Sequence, residues 1–264
     1  MSRKYILRLC LPFFVLVATT NIIFAGDRPN IVILLADDLG YSDVGCFGAE
    51  GFSTPNLDRM ADEGIRLNNF YVHPICTPTR AALLSGCYPQ RVGLELVSTP
   101  RRKTGIHPDE ELLPELLNQA GYATGIFGKW HLGHHPDFWP LINGFDEWQG
   151  TPGSNDHRNI VPDELSDVSG VQEGLVFIEN DTIVEVVEDQ SYLTQRSTAG
   201  AVDFIQRHQN EPFFLYVPYN MPHTPLAVGE NFLGTSKRGL YGDVVSELDW
   251  SVGEILSSIQ ECGL

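Results

Sequence analysis

Residues 30–38 read Asn-Ile-Val-Ile-Leu-Leu-Ala-Asp-Asp, an unbroken apolar run that ends in two carboxylates. An apolar run of this length without polar alternation is typical of a parallel strand that is covered on both faces. Similar runs occur at residues 123–127 and 212–218. Helical spacing of apolar residues is found between and after these runs, at residues 54–63, 77–86, 108–120, 192–208 and 242–261. The alternation predicts an α/β fold with a largely parallel sheet flanked by helices.

Two weaker strand patterns and a region rich in turn residues complete this outline. Strands are predicted at residues 64–72 and 182–187. The rest of residues 133–190 contains many Gly, Pro, Asn and Asp residues, and we expect long loops there. No internal repeat and no low-complexity linker divides residues 26–264, which predicts a single domain.

The first two helices carry recognisable start signals. Thr54-Pro55 and Thr77-Pro78 each place a threonine suited to the N-cap before a proline suited to the first helical position. We therefore expect both threonines to cap their helices and Cys76 to lie just outside the second helix.

Composition and charge exclude several classes of function. The chain has 264 residues, of which 42% are hydrophobic and 19% charged, as in ordinary globular proteins. Its 17 basic and 34 acidic residues give a net charge of -17, which argues against a nucleic acid as partner. Cys46, Cys76, Cys87 and Cys262 form no C-x-x-C pair and are too sparse for a disulfide scaffold.

Residues 1–25 have the composition of an export signal. A basic start, with Arg3, Lys4 and Arg8, precedes a mostly apolar run at residues 9–23, and a small-residue cleavage point follows. The apolar run is short for spanning a bilayer, although a retained anchor is the alternative interpretation. We expect an exported protein, periplasmic or secreted, without stable membrane insertion.

Asp37 and Asp38 follow the first predicted strand directly. In open α/β sheets, ligands bind outside the carboxyl ends of the strands, so both side chains can face one site. Adjacent carboxylates repel each other unless a hard cation neutralises them, which favours calcium or magnesium. The alternative is a solvated turn without a metal ion.

The segment from Cys76 to Arg80 reads Cys-Thr-Pro-Thr-Arg and lies at the start of the second predicted helix. Free backbone N–H groups and the helix dipole favour an anion at such a position. Arg80, on the first turn, could add a bidentate contact to an oxyanion. The alternative is a buried cysteine before an ordinary capped helix.

Residues 76–86, Cys-Thr-Pro-Thr-Arg-Ala-Ala-Leu-Leu-Ser-Gly, resemble the C-x-P-x-R signature of the sulfatase family. Three further blocks agree with that family in order and spacing, at residues 29–40, 128–133 and 222–225. Residues 236–254 are similar to the arylsulfatase A and N-acetylgalactosamine-6-sulfatase branch. The resemblance covers residues 28–264 and implies the alkaline-phosphatase-like sulfatase core.

The resemblance implies a modified nucleophile and a metal ion. Cys76 would be oxidised to formylglycine by a formylglycine-generating enzyme, and a hydroxyl of the aldehyde hydrate would attack sulfur. Asp37 and Asp38, together with the group derived from Cys76, would hold Ca²⁺ or Mg²⁺ as template and Lewis acid. The expected substrate is a sulfated small molecule or a sulfated glycan.

The remaining site residues follow from the same resemblance. Arg80 would orient the hydrate, Lys129 would contact the hydrate and the sulfate, and His131 would assist proton loss from the hydroxyl. His223 would face the bridging oxygen as general acid, and Ser154 would contact sulfate. From the residues alone, Lys129 could be a solvated strand end, His131 a packed ring and His223 part of a turn. His134 and His135 lack a partner at metal-ligand spacing and are predicted to be loop residues.

The predicted function is therefore that of a sulfuric ester hydrolase acting on an aryl or sugar sulfate. Family members usually continue with residues that complete the calcium site, a second active-site lysine and a smaller sheet domain, whereas this sequence ends at Leu264. We expect residues 26–264 to be a catalytic domain that is incomplete at its C-terminal end and weakly active or inactive alone. The alternatives are an inactive fragment or sulfated-glycan-binding module, and a phosphate or phosphonate ester hydrolase.

Overall fold

A computed structural model describes residues 28–100, 103–157 and 174–264. The predicted export signal at residues 1–25 lies outside these residues. The described residues contain one six-stranded sheet. Its strands, in chain order, are β1 (Ile31–Leu35), β2 (Ala123–Lys129), β3 (Glu147–Thr151), β4 (Leu175–Glu179), β5 (Thr182–Val187) and β6 (Phe213–Pro218).

The strands lie in the order β1-β6-β2-β3-β4-β5. The first four in this order are parallel, and β4 and β5 extend the sheet with antiparallel pairing. Chain connections between β1, β2 and β6 therefore cross over the sheet, and helices fill these crossovers. The predicted α/β fold with a largely parallel sheet is confirmed.

Helices cover both faces of this sheet. They are α1 (Pro55–Glu63), α2 (Cys76–Ser85), α3 (Leu113–Gln119), α4 (Leu193–Arg207) and α5 (Gly239–Glu261), with short 3-10 helices at Tyr41–Asp43, Gly45–Phe47, Pro136–Phe138 and Pro140–Asn143. The helices α2 and α3 pack on one face, α4 and α5 pack on the other, and α1 lies against α5. Among the described residues, none of the helices combines the length and the apolar composition needed to cross a bilayer.

Side chains of the central strand β6 alternate between two apolar cores. Phe214 and Tyr216 belong to the core beneath α2 and α3, whereas Phe213, Leu215 and Val217 belong to the core beneath α4 and α5. All five are fully buried. This alternation explains why the sequence of β6 is an unbroken apolar run, since both of its faces are covered.

The strand predictions were wrong in two places. Residues 64–72 form no strand, and the side chains of Ile65 and Tyr71 are 89% and 87% exposed. Their apolar and aromatic composition suits a strand, but within the described residues no neighbouring strand pairs with them. Conversely, β3 and β4 lie where long loops were expected. They are short segments within a region rich in turn residues, and pairing with β2 and β5 incorporates them into the sheet.

The helix starts also differ from prediction. The helix α2 begins at Cys76, with Ile75 as its N-cap, so Cys76 is part of the helix and Thr77 is not its cap. The hydroxyl of Thr77 instead donates to the carbonyl oxygen of His131. The helix α3 was expected from residue 108 but begins at Leu113.

The cap of α1 comes from a distant helix. Thr54 is at the predicted N-cap position but makes no side-chain capping bond. The carboxylate of Asp249, on α5, accepts hydrogen bonds from the backbone N–H groups of Asn56 at 3.0 Å and Leu57 at 2.9 Å. Asp249 is almost fully buried. It therefore satisfies the free N–H groups of α1 and joins the two helices.

Two glycines allow unusually close approach of neighbouring strands. Gly128 and Gly150 are paired in the register of β2 and β3, with φ of 141° and 158°. A Cβ atom on Gly150 would lie 1.8 Å from the carbonyl oxygen of Gly128, and one on Gly128 would lie 2.1 Å from that of Pro218. Only glycine fits at either position.

We expect Asp249→Ala to lower the free energy of unfolding by about 2 kcal/mol, because it leaves two buried N–H groups without an acceptor. Urea denaturation of the chain measures this loss. Asp203→Ala is the matched control, since Asp203 pairs with Arg207 on the surface and its side chain is 66% exposed. That control should change stability by less than about 0.5 kcal/mol. Equal losses in the two variants would contradict a capping role for Asp249.

Candidate active site

Several of the predicted site residues meet at one edge of the sheet. Asp37 follows β1, Lys129 ends β2, Ser154 follows β3, and the segment carrying His223 follows β6. These four strands are parallel, so their carboxyl ends lie on the same side, where α2 also begins at Cys76. This edge is where open α/β sheets bind ligands.

A buried network of charges forms the floor of the site. The ammonium group of Lys129 pairs with the carboxylate of Asp37, and Arg80 Nη2 lies 3.6 Å from the same oxygen. Arg80 Nη1 also donates to the carbonyl oxygen of Lys129 at 2.5 Å. All three residues are buried. Two cations therefore share one buried carboxylate, which leaves the floor with an excess of positive charge.

Lys129 also reaches the third strand of the site. Its Nζ donates to Ser154 Oγ at 3.1 Å. Burial, and then the charge of Arg80, lower the pKa of Lys129 below its usual value, although Asp37 acts in the opposite direction. A buried ammonium group with a lowered pKa is poised to bind an anion, because a further negative charge would stabilise its charged form.

The residue Cys76 borders a cavity above this network. The cavity has a volume of about 220 Å³ and is lined in part by Asp37, Asp38, Cys76, Thr79 and Arg80. Cys76 is half-buried and forms no disulfide. Its side chain is therefore open to a modifying enzyme or a small ligand, while the charges below it are shielded from water.

His131 is held in a single orientation beside Lys129. Its backbone has φ of 61°, a left-handed conformation that is costly for a residue with a side chain, and its carbonyl oxygen accepts from Thr77 Oγ1 at 3.0 Å. His131 Nε2 lies 3.0 Å from the carbonyl oxygen of Ser98. Because a carbonyl can only accept, Nε2 carries the hydrogen and Nδ1 carries the lone pair.

Asp38 and His223 form a more exposed part of the site. His223 Nε2 lies 3.7 Å from Asp38 Oδ2. His223 Nδ1 is 2.6 Å from the carbonyl oxygen of Thr224, which places a hydrogen on that nitrogen. Asp38 has φ of 67°, so the chain turns sharply between the buried carboxylate of Asp37 and the exposed one.

His134 lies in a loop as predicted, but the prediction that it lacks a partner was wrong. His134 is almost fully buried, and its Nε2 lies 3.4 Å from His157 Nδ1, so it does have a partner. His157 follows β3, which was not predicted, and nothing in the sequence indicated that it would reach His134. His135 does lie outside this group, and its ring accepts from the backbone N–H of Asp137.

Some buried polar atoms in the site have no hydrogen-bond partner within the described residues. They are the donors Nε and Nη2 of Arg80, of which Nη2 lies in the ion pair with Asp37, and the acceptor Nδ1 of His131. Unpaired buried polar atoms are rare and costly unless a ligand completes them. The arrangement can hold an oxyanion against Arg80 and Lys129, next to the half-buried side chain of Cys76.

The chain is similar in sequence and in structure to proteins of known class. A family model described as Sulfatase matches residues 29–264. Human N-acetylgalactosamine-6-sulfatase is 43% identical over 253 residues, covering 90% of this chain and 48% of that protein. Human arylsulfatase A is 39% identical over 250 residues, covering 89% and 49%.

A solved structure shares the fold. The crystal structure of Ps i-CgsB in complex with k-i-k-neocarrahexaose is 32% identical, with a TM-score of 0.77, covering 89% of this chain and 56% of that one. The chain spans about half the length of the curated relatives it matches. The resemblance given by the four motif blocks is thereby confirmed.

The burial of His134 makes stability depend on pH. Burial, and then the charge of His157, lower the pKa of His134 from 6.5 to about 3. Below pH 6.5 the unfolded chain binds a proton that the folded chain does not, so the free energy of unfolding should fall as the pH decreases from 6.5 toward 3.

We expect His134→Asn to reduce this slope by up to about 1.4 kcal/mol per pH unit, which corresponds to one proton. Urea denaturation at several pH values between 4 and 7 measures it in the presence of a chelator. Because the pKa values of His131 and His157 are also lowered, part of the wild-type slope remains in the variant. An unchanged slope would show that the folded protein accommodates the protonated ring of His134.

Proposed function

Because the chain belongs to the sulfatase family, we propose that it hydrolyses sulfate esters at the cavity beside Cys76. The observation that carries this proposal is the placement of Cys76 above two buried cations, Arg80 and Lys129, with unpaired donors on Arg80. A sulfate ester is an anion with several acceptor oxygens, and it would complete those donors.

The residue at position 76 fits conversion to formylglycine. It is half-buried, free of disulfides and at the first position of α2, where backbone N–H groups lack helical partners. In that form the residue would supply a hydroxyl for attack on sulfur and, by returning to the aldehyde, a way to release sulfate. The partner required for this conversion is a formylglycine-generating enzyme.

The oxygen ligands fit a hard divalent cation. Asp37 and Asp38 both line the cavity with Cys76, and carboxylate oxygens are the ligands that Ca²⁺ and Mg²⁺ prefer. Asp37 and Asp38 would hold the ion, and its chemistry there is that of a Lewis acid for a sulfate oxygen. In the structure the ammonium group of Lys129 pairs with Asp37.

Five other side chains have distinct tasks in this proposal. Arg80 and Lys129 stabilise the negative charge that develops on the sulfate oxygens, and Ser154 fixes Lys129 from the side of β3. His131 takes up the proton of the attacking hydroxyl at Nδ1, the ring nitrogen with the lone pair. Burial and the charge of Lys129 lower its pKa well below 6.5, so the ring is neutral before the reaction. The doubly protonated ring of His223 donates its Nε2 proton to the bridging oxygen and keeps its Nδ1 hydrogen bond to the carbonyl oxygen of Thr224.

The proposed substrate class is an aryl sulfate or a sulfated sugar. One relative is named N-acetylgalactosamine-6-sulfatase, and Ps i-CgsB has been crystallised with k-i-k-neocarrahexaose. The net charge of -17 disfavours general attraction of sulfated polymers, so recognition would rest on the local positive charge of the cavity.

We also propose that residues 1–25 direct export and that residues 26–264 form a catalytic domain.

The conversion of Cys76 can be measured directly. After expression through an export pathway together with a formylglycine-generating enzyme, we expect the tryptic peptide of residues 67–80 to be lighter than the cysteine form. It should also react with an aldehyde probe. Cys262→Ser is the matched control and should be converted to the same extent, whereas Cys76→Ala should give no reaction. An unmodified thiol at position 76 under these conditions would contradict the proposed nucleophile.

The choice of ester distinguishes the candidate functions. We expect the converted chain to release product from an aryl sulfate faster than from the matching aryl phosphate. We expect Lys129→Ala to lower kcat for the aryl sulfate by about 10²–10³-fold, because it removes a donor to the negative charge that develops on the sulfate oxygens. Lys237→Ala, on the surface, should leave kcat unchanged. Faster phosphate release would favour a phosphate ester hydrolase. Binding of a sulfated oligosaccharide without any release would favour a glycan-binding module.

A further inference from the structure

Three histidines lie together next to the proposed catalytic residues. One ring nitrogen from each of His131, His134 and His157 lies within 4.8 Å of the other two. His131 and His134 are fully buried, and the side chain of His157 is 19% exposed. Among the described residues this is the one group of His, Cys, Asp and Glu side chains with such spacing. We refer to it as the histidine cluster.

The rings of the cluster are oriented by a shared neighbour. Ser98 accepts the Nε2 hydrogen of His131 on its carbonyl oxygen at 3.0 Å, and its hydroxyl lies 3.3 Å from His134 Nδ1. A metal ion would bind the second nitrogen of each ring, which for His134 now shares a hydrogen bond with His157 Nδ1. Metal-binding histidines in proteins commonly have their other nitrogen bound in this way, to a carbonyl or another polar group.

The distance between two of these nitrogens suits a tetrahedral ion. His134 Nε2 and His157 Nδ1 are 3.4 Å apart. Two nitrogens at Zn–N distances of about 2.0–2.1 Å in tetrahedral geometry are separated by about 3.3–3.4 Å. The third nitrogen, Nδ1 of His131, is buried and has no hydrogen-bond partner. Binding a metal ion would satisfy this atom.

Gly153 makes room for this arrangement. A Cβ atom at this position would lie 1.9 Å from His134 Nε2. A small cavity of about 10 Å³ borders Gly153, Ser154, His134 and His157, which is about the size of one water molecule. It could hold the fourth ligand of a metal ion bound by three rings.

The charges around the cluster both favour and oppose a cation. The three rings would bind a metal ion as neutral imidazoles, the form in which histidine acts as a ligand. Lys129 is the main opposing charge, but its ammonium group is paired with Asp37. Asp156, whose carboxylate lies 4.0 Å from His157 Nε2, contributes an attractive charge.

We propose that His131, His134 and His157 bind a first-row divalent transition-metal ion such as Zn²⁺. Neutral imidazole nitrogens are preferred by Zn²⁺, Cu²⁺ and Ni²⁺, whereas Ca²⁺ and Mg²⁺ prefer the oxygens of Asp37 and Asp38. The site thus places two donor sets of different chemistry side by side. A metal ion on the cluster would occupy Nδ1 of His131 and inhibit turnover; this consequence, unlike the binding itself, rests on the proposed function.

Binding of Zn²⁺ to the full chain is measured by titration calorimetry in a buffer with excess Ca²⁺, so that the carboxylates are occupied. We expect one equivalent to bind. His157→Asn and His134→Asn should each weaken binding by at least about tenfold, because each removes one of three ligands. His107→Asn, which changes an exposed histidine outside the cluster, and Cys76→Ala should bind Zn²⁺ as the wild-type chain does.

The opposite pattern overturns the proposal. Unchanged affinity in both cluster variants would show that Zn²⁺ binds elsewhere, and loss of affinity in Cys76→Ala would place the ion on the thiol. Co²⁺ bound to the wild-type chain gives a second measurement that needs no variant to fold. The visible absorption of four-coordinate Co²⁺ with nitrogen ligands supports the cluster, whereas its absence or a thiolate charge-transfer band contradicts it.

Discussion

The ion pair between Lys129 and Asp37 joins the ends of two strands that are not neighbours, since β6 lies between β1 and β2. Both residues are buried, so replacing Asp37 leaves the buried charges of Lys129 and Arg80 uncompensated, which costs roughly 3–5 kcal/mol. Arg80 bonds to the backbone of Lys129 and lies close to Asp37, which fixes the start of α2 relative to the sheet. The position of Cys76 therefore depends on this pair.

The same pair shows why a part of the site could be predicted from the sequence. An apolar run followed by two carboxylates indicates a strand end, and the carboxyl ends of parallel strands meet at one edge. Asp37 and Lys129 both end such runs, so their approach follows from the fold class. The role of Cys76 could not be derived in this way, because an apolar helix with a cysteine at its start is equally compatible with simple packing.

Other parts of the fold depended on partners that the local sequence does not show. Residues 64–72 have strand composition but no paired strand among the described residues, whereas β3 has Gln149 and Gly150 in its middle and forms because β2 pairs with it. Since β3 was not predicted, the chain after it could not be placed. His157 and Ser154 follow β3, so the approach of His157 to His134 became visible only with the sheet register known.

The glycines Gly128 and Gly150 limit how this protein can be re-engineered. They lie next to each other across β2 and β3, immediately before Lys129 and Thr151, and each is surrounded by backbone atoms rather than movable side chains. A library that aims at new substrates would lose every member with a substitution at either position. Diversity is better directed to the cavity rim near Val72 and Thr79, where side chains can change without moving two strands.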